Sequence, residues 1–75
     1  MGDEDNAVVD YTKALELDPD HVRVYKTRAL TTQKQGNLQL VSDDLKEYLR
    51  LAQEASDYSG VAQQIANLEE LLQAE

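Results

Sequence analysis

The sequence holds no cysteine, no tryptophan and no phenylalanine, and only one proline, three glycines and one histidine in 75 residues. Without cysteine there is no disulfide framework, no thiolate nucleophile and no Cys-based zinc site. A lone histidine thins the acid–base and metal options further. Positive charge is also scarce. Seven Lys and Arg stand against 15 Asp and Glu, leaving a formal charge of −8. That excess repels phosphate backbones and anionic lipid, so neither nucleic acid nor a membrane surface is expected as a partner. No apolar run is long enough for a membrane span, and the acidic start is unlike a signal or transit peptide. The cytoplasm is the expected compartment. Apolar residues nevertheless make up 41 %, enough for a packed core and too many for a disordered acidic tail.

Alternation of apolar and polar residues is never sustained, whereas helical spacing recurs between the few punctuating residues. Ala7, Val8, Tyr11, Ala14 and Leu15 form a first stripe, closed by Pro19, which ends a helix and pushes Asp18 out of helical geometry. Val22, Tyr25 and Ala29 form a second, running to Gly36. Leu38, Val41, Leu45, Tyr48, Leu49 and Ala52 form the cleanest, and Tyr58, Val61, Ile65, Leu68 and Leu72 a fourth. The spacing predicts an all-α chain with helices over about 4–17, 21–35, 38–52 and 57–73, joined by short connections that make neighbours antiparallel. Expected N-caps are Asp3, Asp18 or Asp20, Asn37, and Ser56 or Asp57.

A shift of 34 residues superposes Gly2 on Gly36, Asp10 on Asp44, Leu15 on Leu49 and Leu17 on Leu51. It also pairs Asp3 with Asn37, Ala7 with Val41, Tyr11 with Leu45 and Ala14 with Tyr48. The run Gly2-Asp3, Ala7, Tyr11 and Ala14-Leu15-Glu16-Leu17-Asp18-Pro19 resembles the second helix of a tetratricopeptide repeat with its closing proline. Tyr25, Ala29, Gly36-Asn37, Leu45 and Leu49-Arg50-Leu51 resemble the complete repeat that follows. The resemblance covers roughly residues 2–52. Departures are Gln53 for the second proline, Val41 for a small residue, Tyr48 for alanine and Arg28 for leucine. Val41 and Tyr48 are bulky enough to alter the packing of the third helix; Arg28 points to solvent or bridges to an acid.

The resemblance implies one helical domain over 1–75. Residues 2–19 would be the second helix of a truncated repeat, 20–53 a full repeat and 54–75 a capping helix over the last repeat's exposed face. It further implies a piece of a longer array, with the first helix of the opening repeat lying outside this sequence.

Three acidic constellations bear on chemistry. Asp18, Asp20 and His21 offer a loop triplet with no fourth ligand, and capping is the plainer role. Asp3, Glu4 and Asp5 lack the glycine and terminal glutamate of a calcium loop and suit the positive end of a helix dipole. Asp43/Asp44 and Glu69/Glu70 read as solvated helix faces, since carboxylates do acid–base work only in pockets that shift their pKa. With no nucleophile elbow, phosphate loop or zinc motif, no catalytic residue, metal or cofactor is expected.

Residues 21–35 contain Arg23, Lys26, Arg28 and Lys34 and no acid, a local charge of +4 in a chain of −8. In tetratricopeptide repeats the first helix of each repeat lines the concave, ligand-holding face, which implies Arg23, Lys26, Thr27, Leu30, Gln33 and Lys34 as that face here. Arg23, Lys26, Thr27 and Leu30 fall on one helical stripe. An acidic or carboxylate-ended peptide fits such a stripe; equally, these cations neutralise acids on neighbouring helices. Some co-chaperone members of the family grip a C-terminal carboxylate with lysines and asparagines from three repeats. This chain has one full repeat, and Leu30 stands where asparagine is wanted.

Tyr11, Tyr25 and Tyr48 are expected in the core with their hydroxyls at the surface, and Tyr58 at the anchored start of the closing helix. The first helix lacks a preceding partner, so Val8, Val9 and Tyr11 are candidates for self-association into an isologous homodimer, with a marginal monomer as the alternative. The leading functional expectation is a non-catalytic scaffold binding a protein or peptide partner. A structural self-association element and an accessory C-terminal domain of a larger enzyme are the alternatives.

Overall fold

The computed structural model describes residues 2–74; Met1, and Glu75 at the end of the expected closing segment, lie outside the described residues. These form four helices and no strand: α1 Gly2–Leu17, α2 Val22–Lys34, α3 Leu38–Leu51 and α4 Tyr58–Gln73. Each helix packs on its neighbour in sequence, most tightly α2 on α3, and non-consecutive helices do not pack together. The molecule measures 31 × 28 × 17 Å, the thin dimension spanning less than two helix diameters. The helices therefore lie as an open array and not as a closed bundle.

Pairing is antiparallel throughout. Gln35 after the end of α2 donates to Asp5 in the first turn of α1 at 2.6 Å. Lys46 in α3 pairs with Glu69 in α4 at 2.6 Å. The core runs along the middle pair and into α4: Ala29 from α2, Val41, Leu45, Tyr48 and Leu49 from α3, Val61 and Leu68 from α4. Full burial of side chains such as Val41 and Leu45 contributes about 1.5–3 kcal/mol each.

The punctuation follows physical rules. α1 ends at Leu17, and the Pro19 region turns through a bond from the His21 N–H to the Asp18 carbonyl at 3.1 Å. Gly36 adopts φ +78°, a left-handed conformation that disfavours any residue with a Cβ, and it redirects the chain after α2. Asn37 then caps α3 by accepting from the Leu40 N–H at 3.3 Å. The end of α3 needs no proline: Gln53 lends its side-chain amide to the Arg50 carbonyl at 3.4 Å, supplying one of the donors a helix terminus lacks.

Three expected caps differ. Asp3 lies inside the first turn of α1 with Glu4 and Asp5, where it meets the dipole and does not cap. The N-cap of α2 is His21, directly before Val22, and it makes no side-chain bond; the Asp18 carboxylate accepts from the Asp20 N–H instead. Asp57 stands at the N-cap position of α4 but does not cap it, because its carboxylate is engaged across the fold.

The positions paired by the 34-residue shift differ in cover. Leu15 and Leu49 are both buried. Ala7, Tyr11 and Ala14 are only half-buried, whereas their partners Val41, Leu45 and Tyr48 are buried. Leu17 is 89 % exposed and Leu51 half-buried. The cause is the number of neighbours: α3 lies between α2 and α4, while α1 touches α2 alone.

One charged pair crosses this apolar array. Arg28 donates from Nε to Asp44 Oδ2 at 2.8 Å and from a terminal guanidinium nitrogen to Oδ1 at 2.6 Å. Its other terminal nitrogen donates to the Thr12 hydroxyl at 3.1 Å, and that hydroxyl donates to the Val8 carbonyl at 2.8 Å. The side chain of Asp44 is 2 % exposed and that of Arg28 14 %. Arg28 thus bridges to an acid and joins α1, α2 and α3. Asp43 is exposed, in keeping with a solvated face, but Asp44 is a buried structural carboxylate.

Removing one partner of a buried pair strands the other charge and costs about 3–5 kcal/mol, comparable to the whole stability of so small a domain. Arg28→Ala is therefore expected to lose its cooperative thermal transition by circular dichroism at 25 °C and above. The double variant Arg28→Met/Asp44→Leu leaves no charge buried and is expected to keep it.

Candidate functional site

The candidate surface is built on α2, whose register places Arg23, Lys26, Thr27 and Leu30 one above another. These four, with Val22 and Tyr48, line a groove of about 300 Å³ between α2 and the end of α3. Leu30 is 54 % exposed at the surface. Tyr48 is only 8 % exposed, and the Lys26 ammonium lies 5.3 Å from the centre of its ring, within cation–π range.

Four of the six residues expected on this face are brought together. Gln33 and Lys34 are exposed in the last turn of α2 and do not line the groove; Lys34 there favours the negative end of the helix dipole. The Thr27 hydroxyl donates to the Arg23 carbonyl at 2.9 Å, so its proton is committed to its own helix. The four cations of α2 fall into two classes. Arg28 belongs to the buried network and Lys26 is paired with Asp57, while Arg23 and Lys34 make no ion pair among the described residues.

At the groove's edge Asp57 receives two donors on its two oxygens. Lys26 Nζ donates to Oδ2, and the Tyr48 hydroxyl donates to Oδ1 at 2.8 Å. Lys26 is 40 % and Asp57 35 % exposed, so solvent moderates the pair. The Lys26 bond, then the Tyr48 bond, hold the Asp57 carboxyl below its ordinary 3.8. The same carboxylate raises the Lys26 ammonium above 10.5 and the Tyr48 phenol above 10.0.

Val22, Tyr48 and Asp57 enter the site without having been singled out for it. The signal for Tyr48 was its departure from the repeat pattern: a tyrosine where alanine is usual carries a hydroxyl beyond the core. Asp57 gave no such signal, because its donors stand 31 and 9 residues away. Tyr25 is half-buried and donates to the Pro19 carbonyl at 2.7 Å. Tyr58 is 39 % exposed, so its ring does not anchor α4; Val61 and Leu68 hold that helix.

The self-association candidates do not share one face. Val8 and Tyr11 are half-buried on the side of α1 toward the core, while Val9 is 51 % exposed and points away. Among the described residues no group of three or more histidines and carboxylates is placed to hold a metal ion. No described helix is long and apolar enough to cross a membrane. Comparison of the chain with protein-family models, curated proteins and solved structures finds no match.

The Asp57 cluster has a pH window with two edges. A lowered carboxyl contributes in full above its ordinary value and loses that contribution as pH falls through the folded one. Raised ammonium and phenol groups contribute in full below their ordinary values and lose it as pH rises through the folded ones. Comparing thermal melts of the wild type and Asp57→Asn, the gap in Tm is expected to hold steady from about pH 5 to about pH 9. It should narrow as pH falls below the ordinary carboxyl value of 3.8 and close only once pH has passed below the lower value of the folded Asp57, where both side chains are neutral. A gap that does not narrow at all as pH falls below 3.8 would show that the carboxylate charge is not its source.

Proposed function

We propose that this chain is a non-catalytic, tetratricopeptide-like interaction module that holds an acidic peptide or partner helix on the outer face of α2. The observation that carries the reading is the groove bounded by Val22, Arg23, Lys26, Thr27, Leu30 and Tyr48. It joins apolar walls to cations on the only helix among the described residues that has several bases and no acid. Antiparallel helices packed in chain order, with a glycine turn and a 34-residue pattern, support the repeat-like architecture. The apolar part supplies affinity by excluding water; Arg23, with its planar fork of donors, selects a carboxylate.

The occupant that fits is a segment with a carboxylate next to a branched apolar side chain. A fluorescein-labelled, end-blocked peptide Leu-Asp-Leu-Asp-Leu is expected to bind more tightly than its Asn-for-Asp counterpart. Arg23→Ala should sharply reduce that preference, costing about 5- to 10-fold in affinity for the acidic peptide. Raising salt from about 0.15 M to about 0.5 M should weaken only the acidic peptide. Fluorescence anisotropy reads all three, and equal affinity for the two peptides would count against charge-led recognition.

A second reading, self-association through α1, is favoured by that helix having one neighbour and by the exposure of Val9 and Leu17. Its charge works the other way. α1 carries Asp3, Glu4, Asp5, Asp10 and Glu16 against Lys13, so pairing it with a second α1 sets like charges together. Light scattering behind size exclusion is expected to give the 8.4 kDa monomer. A mass about twice that, returning to the monomer in Val8→Ser/Val9→Ser, would establish the homodimer instead.

A further inference from the structure

The Lys26–Tyr48–Asp57 cluster bears on how the groove is occupied. Two of the six groove-lining side chains, Lys26 and Tyr48, present their polar hydrogens to a carboxylate of the chain itself. The ammonium and phenol approach separate oxygens of Asp57, the arrangement that would receive the carboxylate of an acidic side chain. Asp57 comes from the first residue before α4, at the groove's edge and not from its floor. Its engagement there is not required to start the helix. The Val61 N–H already bonds to the Asp57 backbone carbonyl at 2.9 Å, and no side-chain capping bond is made.

We propose that Asp57 is a built-in competitor of the groove, occupying Lys26 and Tyr48 as an incoming carboxylate would, so that an acidic partner binds by displacing it. This rests on the acidic-peptide reading above and adds its regulation. Arg23, free of an ion pair among the described residues, makes the first charged contact. Lys26 becomes available only when it exchanges Asp57 for the partner's carboxylate. A partner with two acids spaced along one face can use both cations; a partner with one acid is held by Arg23 alone. The competitor therefore sets a threshold for acidic content. The threshold is modest, because both members of the pair are more than a third exposed and an exposed pair is weak.

The experiment compares the wild type with Asp57→Asn and Asp57→Ser, using the labelled Leu-Asp-Leu-Asp-Leu peptide and its Asn counterpart. Serine is a good helix N-cap without charge, so one variant keeps the start of α4 even if the other disturbs it. Removing the competitor is expected to tighten the acidic peptide about 3-fold and leave the neutral one unchanged. In the wild type at neutral pH, the carbon-13 signal of the Asp57 carboxyl should shift on saturation with the acidic peptide and not with the neutral one.

Unchanged or weaker acidic-peptide binding in a folded variant overturns the proposal, as does an Asp57 signal that saturation leaves in place. If Arg23→Ala loses the acidic preference while both Asp57 variants retain wild-type affinity, the groove reading stands and the competitor falls. A wild type that never prefers the acidic peptide overturns both.

Discussion

The array depends on the pairing of Arg28 with Asp44. Apolar contacts between helices are non-directional and tolerate axial sliding, whereas two parallel hydrogen bonds from a planar guanidinium to a carboxylate do not. The pair sets the register of α2 against α3, and the third bond, to Thr12, extends it to α1. Burying two charges carries a desolvation cost that only such geometry offsets. Here Asp44 receives donors on both oxygens, and the third arm of Arg28 is also bonded. For α1 the network matters most, since Leu15 is its only buried apolar side chain among those described. A helix with one apolar neighbour gains orientation from a polar bond that its own burial does not supply.

From α1 to α3 the same spacing of apolar residues produces different degrees of burial, and this gradient shapes the outer surface. Where two neighbours enclose the stripe, as around Val41 and Leu45, the side chains leave solvent. Where one neighbour does, as around Ala7 and Ala14, part of their area stays in solvent. α2 also has two neighbours, and its side chains divide, with Ala29 and Thr32 buried and Leu30 turned outward. Thr32 can be buried because its hydroxyl bonds the Arg28 and Ala29 carbonyls within the helix. The Ser42 hydroxyl, also buried, has no such partner, leaving one polar atom unbonded beside the α3–α4 contact. The groove on α2 exists because α2 turns one face to α3 and leaves the next to solvent.

Much of this order was legible in the sequence, since it follows from rules that act within a few residues. Four helices came from periodicity, their ends from Pro19, Gly36 and Asn37, and the core from the stripes of α3 and α4. The side chains that join elements were less legible. Arg28 had two open fates, solvent or an acid, because its partners lie 16 residues away on either side. Asp57 read as a cap by position, and a capping aspartate is a local inference. Its actual donors become neighbours only after α2, α3 and α4 have paired. His21 holds a position expected for an aspartate, while the Asp18 carboxylate accepts from the nearer Asp20 N–H. Local rules failed wherever a charged side chain had a choice between a near partner and a distant one.

The same choice narrows the electrostatics of the candidate site. Four cations on α2 suggest a broad basic stripe, but the fold neutralises Arg28 and Lys26 with Asp44 and Asp57, leaving Arg23 at the groove and Lys34 beyond it. Around this small positive area the chain as a whole carries −8. An acidic partner is therefore repelled at long range and attracted only at contact. At ordinary salt the repulsion is screened beyond about 8 Å, while the contact with Arg23 lies inside that distance and persists. On the proposed reading, recognition would favour discrimination over speed: net charge would not steer the partner in, so only a segment whose carboxylate and apolar side chain both fit the groove would gain enough to remain.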